Sequence, residues 1–255
     1  MDYIALGKSN LMVSRTAFGA MSLKDIADEE QAIALVHEAY ESGINFFDTS
    51  HSTLESEKRL GDCLYGIRQD VILSTKSSAQ SAAQLYSDLE ESLDSLHTDY
   101  VDLFHLETET FLPQIDSSDG IYAALQNLLA SGKIRHAGLT TQNYVVASGA
   151  LESKNPIFEV IQFPFNILTD ENSKKLVAEC ESKDIGFIAM KPLYSGLVQN
   201  IKLAFAFLNQ YENVIPVWGV RSSEELKQIL YYASHPPVID DSIKAEMDSM
   251  HNFFN

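Results

Sequence analysis

The side chains of this chain that could do chemistry stand at wide intervals: Asp48, Lys76, His105 with Glu107, Thr140 with Thr141, Gln162, Lys191, and Gly219 with Arg221. A lysine near two carboxylates, as Lys76 would be if Asp48 and Glu107 converge on it, has two uses. As an ammonium it strengthens a neighbouring acid; as a free amine it attacks a carbonyl to form a Schiff base. His51, His105 and Tyr194 are further candidates for proton transfer, each with a plain alternative as an exposed loop residue, a satisfied core histidine and a packing residue. The 255 residues carry a formal net charge of −18 and only 18 Lys and Arg, so any cation beside a pocket stands out against the overall field.

Convergence of such distant residues needs a scaffold. Short β-branched or aromatic runs alternate with longer segments of helical period from residue 15 onward, without a linker or low-complexity stretch. The runs expected as parallel strands are Thr16–Ala20, Ile44–Asp48, Val71–Lys76, Tyr100–Leu106, His136–Thr140, Val160–Phe163, Gly186–Met190 and Val214–Trp218. Helices are expected over Gln31–Glu41, Gln80–Leu96, Asn172–Lys183 and, near the C-terminus, Asp240–Phe254. Eight such units predict one α/β domain over residues 1–255, a (β/α)8 TIM barrel. Residues 1–14 read as a β-hairpin plugging its N-terminal mouth. Gly43, Gly132 and Asp184 with Gly186 stand where left-handed C-caps are expected. The βα loops of a barrel converge at the C-terminal strand ends, and that is where the reactive residues fall.

Composition narrows the partners. A surface of this charge repels phosphate backbones and anionic lipid, so nucleic acid is not expected. With 45% hydrophobic and 21% charged residues and no long apolar run, a membrane span is not expected either. Nothing in MDYIALGKSNLMVSR reads as an export signal, which places the chain in the cytoplasm. Cys63 and Cys180 are too few and too far apart to suggest a disulfide framework or a thiolate metal site.

Six motifs then carry a resemblance. Asp48-Thr49-Ser50 through Ser56-Glu57 to Leu60-Gly61, Thr75-Lys76, Asp99-Tyr100-Val101-Asp102-Leu103, Gly132-Lys133-Ile134-Arg135 with Gly138, Gln162 to Asn166, and Ile215-Pro216 with Gly219 to Glu225 follow in order. Together they resemble the aldo-keto reductases, and Met190-Lys191-Pro192-Leu193 is similar to a bacterial branch whose members often append an iron-sulfur domain. The chain contains no cysteine set for one.

The resemblance implies NAD(P)H-dependent reduction of a carbonyl, with a tyrosine as proton donor beside a lysine–aspartate pair and a histidine orienting the carbonyl. Asp48 and Lys76 match the aspartate and lysine. Thr53 falls at the tyrosine position and Glu107 at the histidine position. An aliphatic hydroxyl is a far weaker acid than a phenol, so ordinary catalysis is not expected from Thr53. Glutamate at the histidine position is known in members that reduce conjugated carbon–carbon double bonds; here Glu107 either polarises an enone or forms a buried ion pair with Lys76.

For the cofactor, the resemblance implies that Thr140, Thr141 and Gln162 hold the nicotinamide amide. It implies that the loop Lys191 to Leu197, with Pro192, Leu193, Ser195 and Gly196, covers the pyrophosphate. Gly219, Arg221 and Ser222 would grip the adenosine phosphate at a helix N-terminus, favouring NADP, with NAD possible. Glu225 would repel a 2′-phosphate, and Ile229 replaces an asparagine that usually contacts adenine. Many members also have a C-terminal tail that closes over the substrate; without one the pocket would be open. Three functions follow: an oxidoreductase with an altered proton donor acting on a carbonyl or conjugated carbonyl, a non-catalytic nucleotide sensor or partner-binding barrel, and a Schiff-base lyase using Lys76. The substrate would be a small molecule in each catalytic case, and oligomeric state is not legible.

Overall fold

The computed structural model describes residues 1–254, apart from the side chains at 195 and 251–254. An antiparallel hairpin of β1 (Tyr3–Ala5) and β2 (Met12–Ser14) leads into β3 (Ala17–Gly19), α1 (Glu29–Glu41), β4 (Phe46–Asp48), α2 (Leu54–Cys63), β5 (Ile72–Ser77), α3 (Ala82–Ser95) and β6 (Val101–Glu107). There follow α4 (Ile121–Ser131), β7 (Ile134–Thr140), α5 (Tyr144–Leu151), β8 (Val160–Pro164), α6 (Glu171–Ser182), β9 (Gly186–Met190), α7 (Ile201–Leu208), β10 (Val214–Gly219), α8 (Ser223–Ser234) and α9 (Asp241–Phe254). Among the described residues, β3 to β10 pair in sequence and β10 closes on β3, giving the expected (β/α)8 barrel. Every expected strand and helix lies within two residues of an observed one.

Alternation along each strand splits the core in two. One set of side chains fills the barrel, including Phe46, Leu103, Val160, Ile188 and Ile215. The other packs under the helices, including Phe47, Phe104, Leu106, Leu139 and Phe187. The hairpin supplies Leu6, Leu11 and Val13 to the inner set, so it is a plug made of core residues. Lys8 N bonds the Asp184 carbonyl at 2.6 Å, fastening it beside β9. Asp184 has the left-handed φ of +54° expected of a C-cap. Gly186 does not; it is needed for room, since a Cβ there would lie 2.7 Å from Leu6 Cγ.

Candidate active site

Register brings the reactive residues to one end of the barrel. Asp48 pairs with Ser74, Lys76 with His105, Glu107 with Thr140, and Thr140 with Gln162. Asp48, Lys76, Thr140 and Gln162 are all buried, none more than 6% exposed. Lys76 Nζ donates to Asp48 Oδ2 at 2.9 Å and to the Thr49 carbonyl at 2.5 Å. Ser74 Oγ donates to Asp48 Oδ1 at 2.9 Å, and Gln162 Nε2 to Asp48 Oδ2 at 3.1 Å. Gln162 Oε1 in turn accepts from Thr140 Oγ1 at 2.8 Å. A buried ion pair is tolerable only when its remaining polar atoms are satisfied, and three donors on one carboxylate meet that condition.

Glu107 ends β6 half-buried, and its carboxylate makes no ion pair or hydrogen bond with a described residue. The Glu107–Lys76 pair weighed from the sequence is therefore not formed, because Lys76 is turned to Asp48. The same engagement tells against a Schiff base, which needs Lys76 as a free amine. Thr53 precedes α2, half-buried, and its side chain caps nothing. His105 lies inside the barrel, and neither ring nitrogen meets hydrogen-bond geometry with a described residue. Burial first, and then the Lys76 charge, push its pKa down to about 3, so the ring is neutral. It packs on Gly138, where a Cβ would come within 2.5 Å of the imidazole. His51 points the other way, out of the barrel onto α3. Tyr194 is exposed, with φ at +44°.

Lys191, Pro192, Leu193, Gly196, Gly219, Arg221 and Glu225 line one cleft of about 420 Å³, with Trp218 and Ile229. Leu197 faces a second, of about 720 Å³, which shares Lys191 and includes Asn166 and Tyr194. The side chain of Ser195 lies outside the described residues. Ser222 caps α8, accepting from Glu225 N at 3.2 Å, while the Glu225 carboxylate turns back to accept from Arg221 N at 2.8 Å. This reciprocal capping uses donors that an anion would otherwise take. The Arg221 guanidinium pairs with neither Glu224 nor Glu225. Thr141 is engaged locally, donating to Glu109 Oε2 at 3.0 Å and accepting from Asn143 N at 3.1 Å.

Residues 15–203 match the model of the Aldo/keto reductase family. The chain belongs to the aldo-keto reductase family. It is 34% identical over 212 residues to an L-galactose dehydrogenase of Arabidopsis thaliana, covering 76% of this chain and 66% of that protein. It is 28% identical over 207 residues to the uncharacterized oxidoreductase YqkF of Bacillus subtilis, covering 76% and 65%. The chain thus spans about two thirds of the length of these relatives. An aldo-keto reductase from Bacillus halodurans in its holo form superposes with a TM-score of 0.82 at 24% identity, over 98% of this chain and 96% of that one.

In this family member, several residues at the mouth were not singled out from the sequence. Ser74 had a signal, standing two residues before Lys76 on the same strand face. Gln142 and Glu109 had none: Lys191 Nζ donates to Gln142 Oε1 at 2.6 Å, and Glu109 accepts from Gln142 N at 2.9 Å. Loop residues meet through tertiary folding, which no local periodicity records. Both cysteines are free and buried, with burial raising each thiol to about 12, too high for a nucleophile. Among the described residues no His, Cys, Asp and Glu cluster could hold a metal, and no helix is long and apolar enough to cross a membrane.

Proposed function

We propose that this aldo-keto reductase family member is an NADP(H)-dependent oxidoreductase acting on a small conjugated carbonyl in the cytoplasm, with Glu107 in place of the usual phenol. The observation that carries this reading is the division of labour at the mouth. Lys76 is committed to Asp48 and Thr49, whereas the Glu107 carboxylate stands half-buried at the end of its strand with no partner among the described residues. In its protonated form Glu107 would donate to the carbonyl oxygen of an enone and draw electron density from the double bond. Thr53 cannot take that role, being an aliphatic alcohol. The buried Lys76–Asp48 pair fixes a positive charge beside the position where oxyanion character would develop.

The cleft beside the mouth suits a dinucleotide phosphate. Among the described residues Arg221 has no ion pair, Lys191 lies on the wall, and Trp218 and Ile229 give an apolar side. Arg221 and Lys191 would hold phosphates, and Thr140 and Gln162 each keep hydrogen-bonding capacity for an amide. The reduced nicotinamide, when bound, supplies hydride.

Titration of NADPH and NADH against Trp218 fluorescence tests binding; no response at high micromolar cofactor overturns the reading. NADPH oxidation is then followed with enones and their saturated analogues, and Glu107→Gln should abolish the enone activity. A second reading, nucleotide binding without turnover, is favoured by Thr53. Binding with no oxidation across enones, quinones and aldehydes would establish it, and a Thr53→Tyr variant that gained carbonyl reduction would show that only the acid is missing.

A further inference from the structure

At its C-terminal end strand β5 differs from the other strands described above. Towards the C-terminal ends of β6, β7 and β9 the helix-facing positions are apolar, among them Phe104, Leu106, Leu139 and Phe187, and the buried charge on that face of β6, Asp102, lies at the other end of the strand, paired with Arg68 and Arg135. On β5 the helix-facing side begins with the core residue Leu73, but towards the C-terminal end it carries Thr75 and Ser77, and they meet charge. Thr75 Oγ1 donates to Glu57 Oε1 at 2.5 Å and Ser77 Oγ to Asp88 Oδ2 at 2.5 Å. Glu57 is 0% exposed and its Oε2 has no hydrogen-bond partner among the described residues. Two carboxylates have thus been buried outside the barrel, directly behind the strand that carries Lys76, and such a placement requires a counterpart.

The counterpart comes from the loop after β4. His51 sets Nδ1 at 3.2 Å from Ser92 Oγ and 4.0 Å from Glu57 Oε2, and Nε2 at 3.5 Å from Asp88 Oδ1. Glu57 on α2 and Asp88 on α3 are the charged groups within ion-pair reach of it. The same loop reaches the mouth two residues earlier, where Thr49 gives its carbonyl to Lys76 Nζ, and Thr49 N is bonded to the Ser74 carbonyl at 2.9 Å. One short segment is therefore fastened on its outer side by His51 and on its inner side by Lys76.

We propose that His51 is a positioning residue for Lys76: by tying the loop after β4 to Glu57, Asp88 and Ser92, it holds the Thr49 carbonyl where that carbonyl fixes the Lys76 ammonium. The role rests on the reading of Lys76 as the fixed cation of the mouth. A proton-transfer part for His51 is replaced by a mechanical one, since its ring faces away from the barrel. Loss of the tie frees Thr49 to move, Lys76 loses one of its two acceptors, and its amine becomes easier to deprotonate.

The test is the pH profile of Lys76 acylation in the full chain, read peptide by peptide by mass spectrometry, because only the free amine reacts. In His51→Gln, Lys76 should be labelled at least threefold faster at pH 8, with its half-labelling pH lower than in the parent and the exposed Lys202 unchanged. Ser92→Ala, which removes the hydroxyl that His51 Nδ1 meets while leaving Asp88 within its reach, should give a smaller shift in the same direction and serves if His51→Gln does not fold. An unchanged Lys76 profile in the folded variants overturns the proposal. The labelling reads Lys76 whether or not a carbonyl is reduced. A shifted profile without NADPH oxidation would overturn the proposed reaction and leave the His51 role standing.

Discussion

Gln162 spans the barrel mouth to Asp48, its Nε2 lying 3.1 Å from Oδ2 although β8 and β4 stand four strands apart in the ring. A residue that the family resemblance gives to the cofactor is thus also part of the support of the Lys76–Asp48 pair. Gln162→Leu would leave Asp48 short of a donor and Thr140 without its acceptor. Losing a hydrogen bond to a buried charge costs about 2 kcal/mol, or a Tm lower by roughly 4–8 °C in a domain this size. Calorimetry without added nucleotide checks this, and an unchanged Tm would restrict Gln162 to ligand binding.

His105 predicts the shape of the acid limb. Its pKa in the folded chain is lowered to about 3, whereas the unfolded chain takes up the proton near 6.5. The unfolded state therefore binds more protons between those values, and stability falls as pH drops from about 6.5 towards 3. His105→Gln should flatten that decline, so that urea midpoints at pH 7 and pH 4 lie closer together than in the parent. Equal slopes in the two proteins would mean that His105 does not titrate on unfolding.

Gly138 and His105 form one steric unit. A Cβ at Gly138 would lie 2.5 Å from the imidazole, closer than atoms can approach, so Gly138→Ala should destabilise by about 1–3 kcal/mol through overpacking. Shortening the ring's position, as in His105→Ser, makes the space. The double variant should be more stable than the sum of the two single losses, by 0.5 kcal/mol or more in a double-mutant cycle.

These pairings show what could be read from the chain. The strands were visible because buried β-branched and aromatic runs such as Gly186–Met190 have a period and a length of their own. Asp48, Lys76 and Glu107 could be placed at the mouth because strand ends locate them. What Glu107 touches was not legible, since the choice of Lys76 between two carboxylates depends on side-chain reach across the ring. Nor was the polar face of β5: Glu57 reads as a motif residue, and only packing against Thr75 and His51 shows that it is buried.

Glu57 carries a pH prediction of opposite sense to that of His105. Burial raises its carboxyl above the ordinary range, against lowering contributions from Thr75, Ser92, His51 and Lys76. An acid that holds its proton more tightly when folded weakens the fold as pH rises past its unfolded value. Glu57→Gln keeps an acceptor for Thr75 and removes the charge. Its stability relative to the parent should rise between pH 4 and pH 7, and a difference that shrinks over that interval would reverse the sign argued here.

On the proposed reading of the cleft, Glu225 should set the choice of reductant. Its carboxylate accepts from Arg221 N and so seals the start of α8, while its charge faces the cleft that Arg221 lines. Glu225→Gln keeps a capping acceptor on the same stem and removes a negative charge from the neighbourhood of a 2′-phosphate. Its effect on helix stability should therefore be small, within about 0.5 kcal/mol for a surface change of this kind. Binding should respond more: NADPH should bind severalfold more tightly and NADH little differently, raising the ratio of their dissociation constants. Arg221→Ala should move that ratio the other way, by about tenfold for a lost charge-assisted contact of 1.5 kcal/mol. The gain from Glu225→Gln should fade as salt is raised, because the interaction is a screened surface charge. If the two variants shift NADPH and NADH equally, Arg221 and Glu225 do not face the 2′ position, and the cleft holds its nucleotide in another orientation.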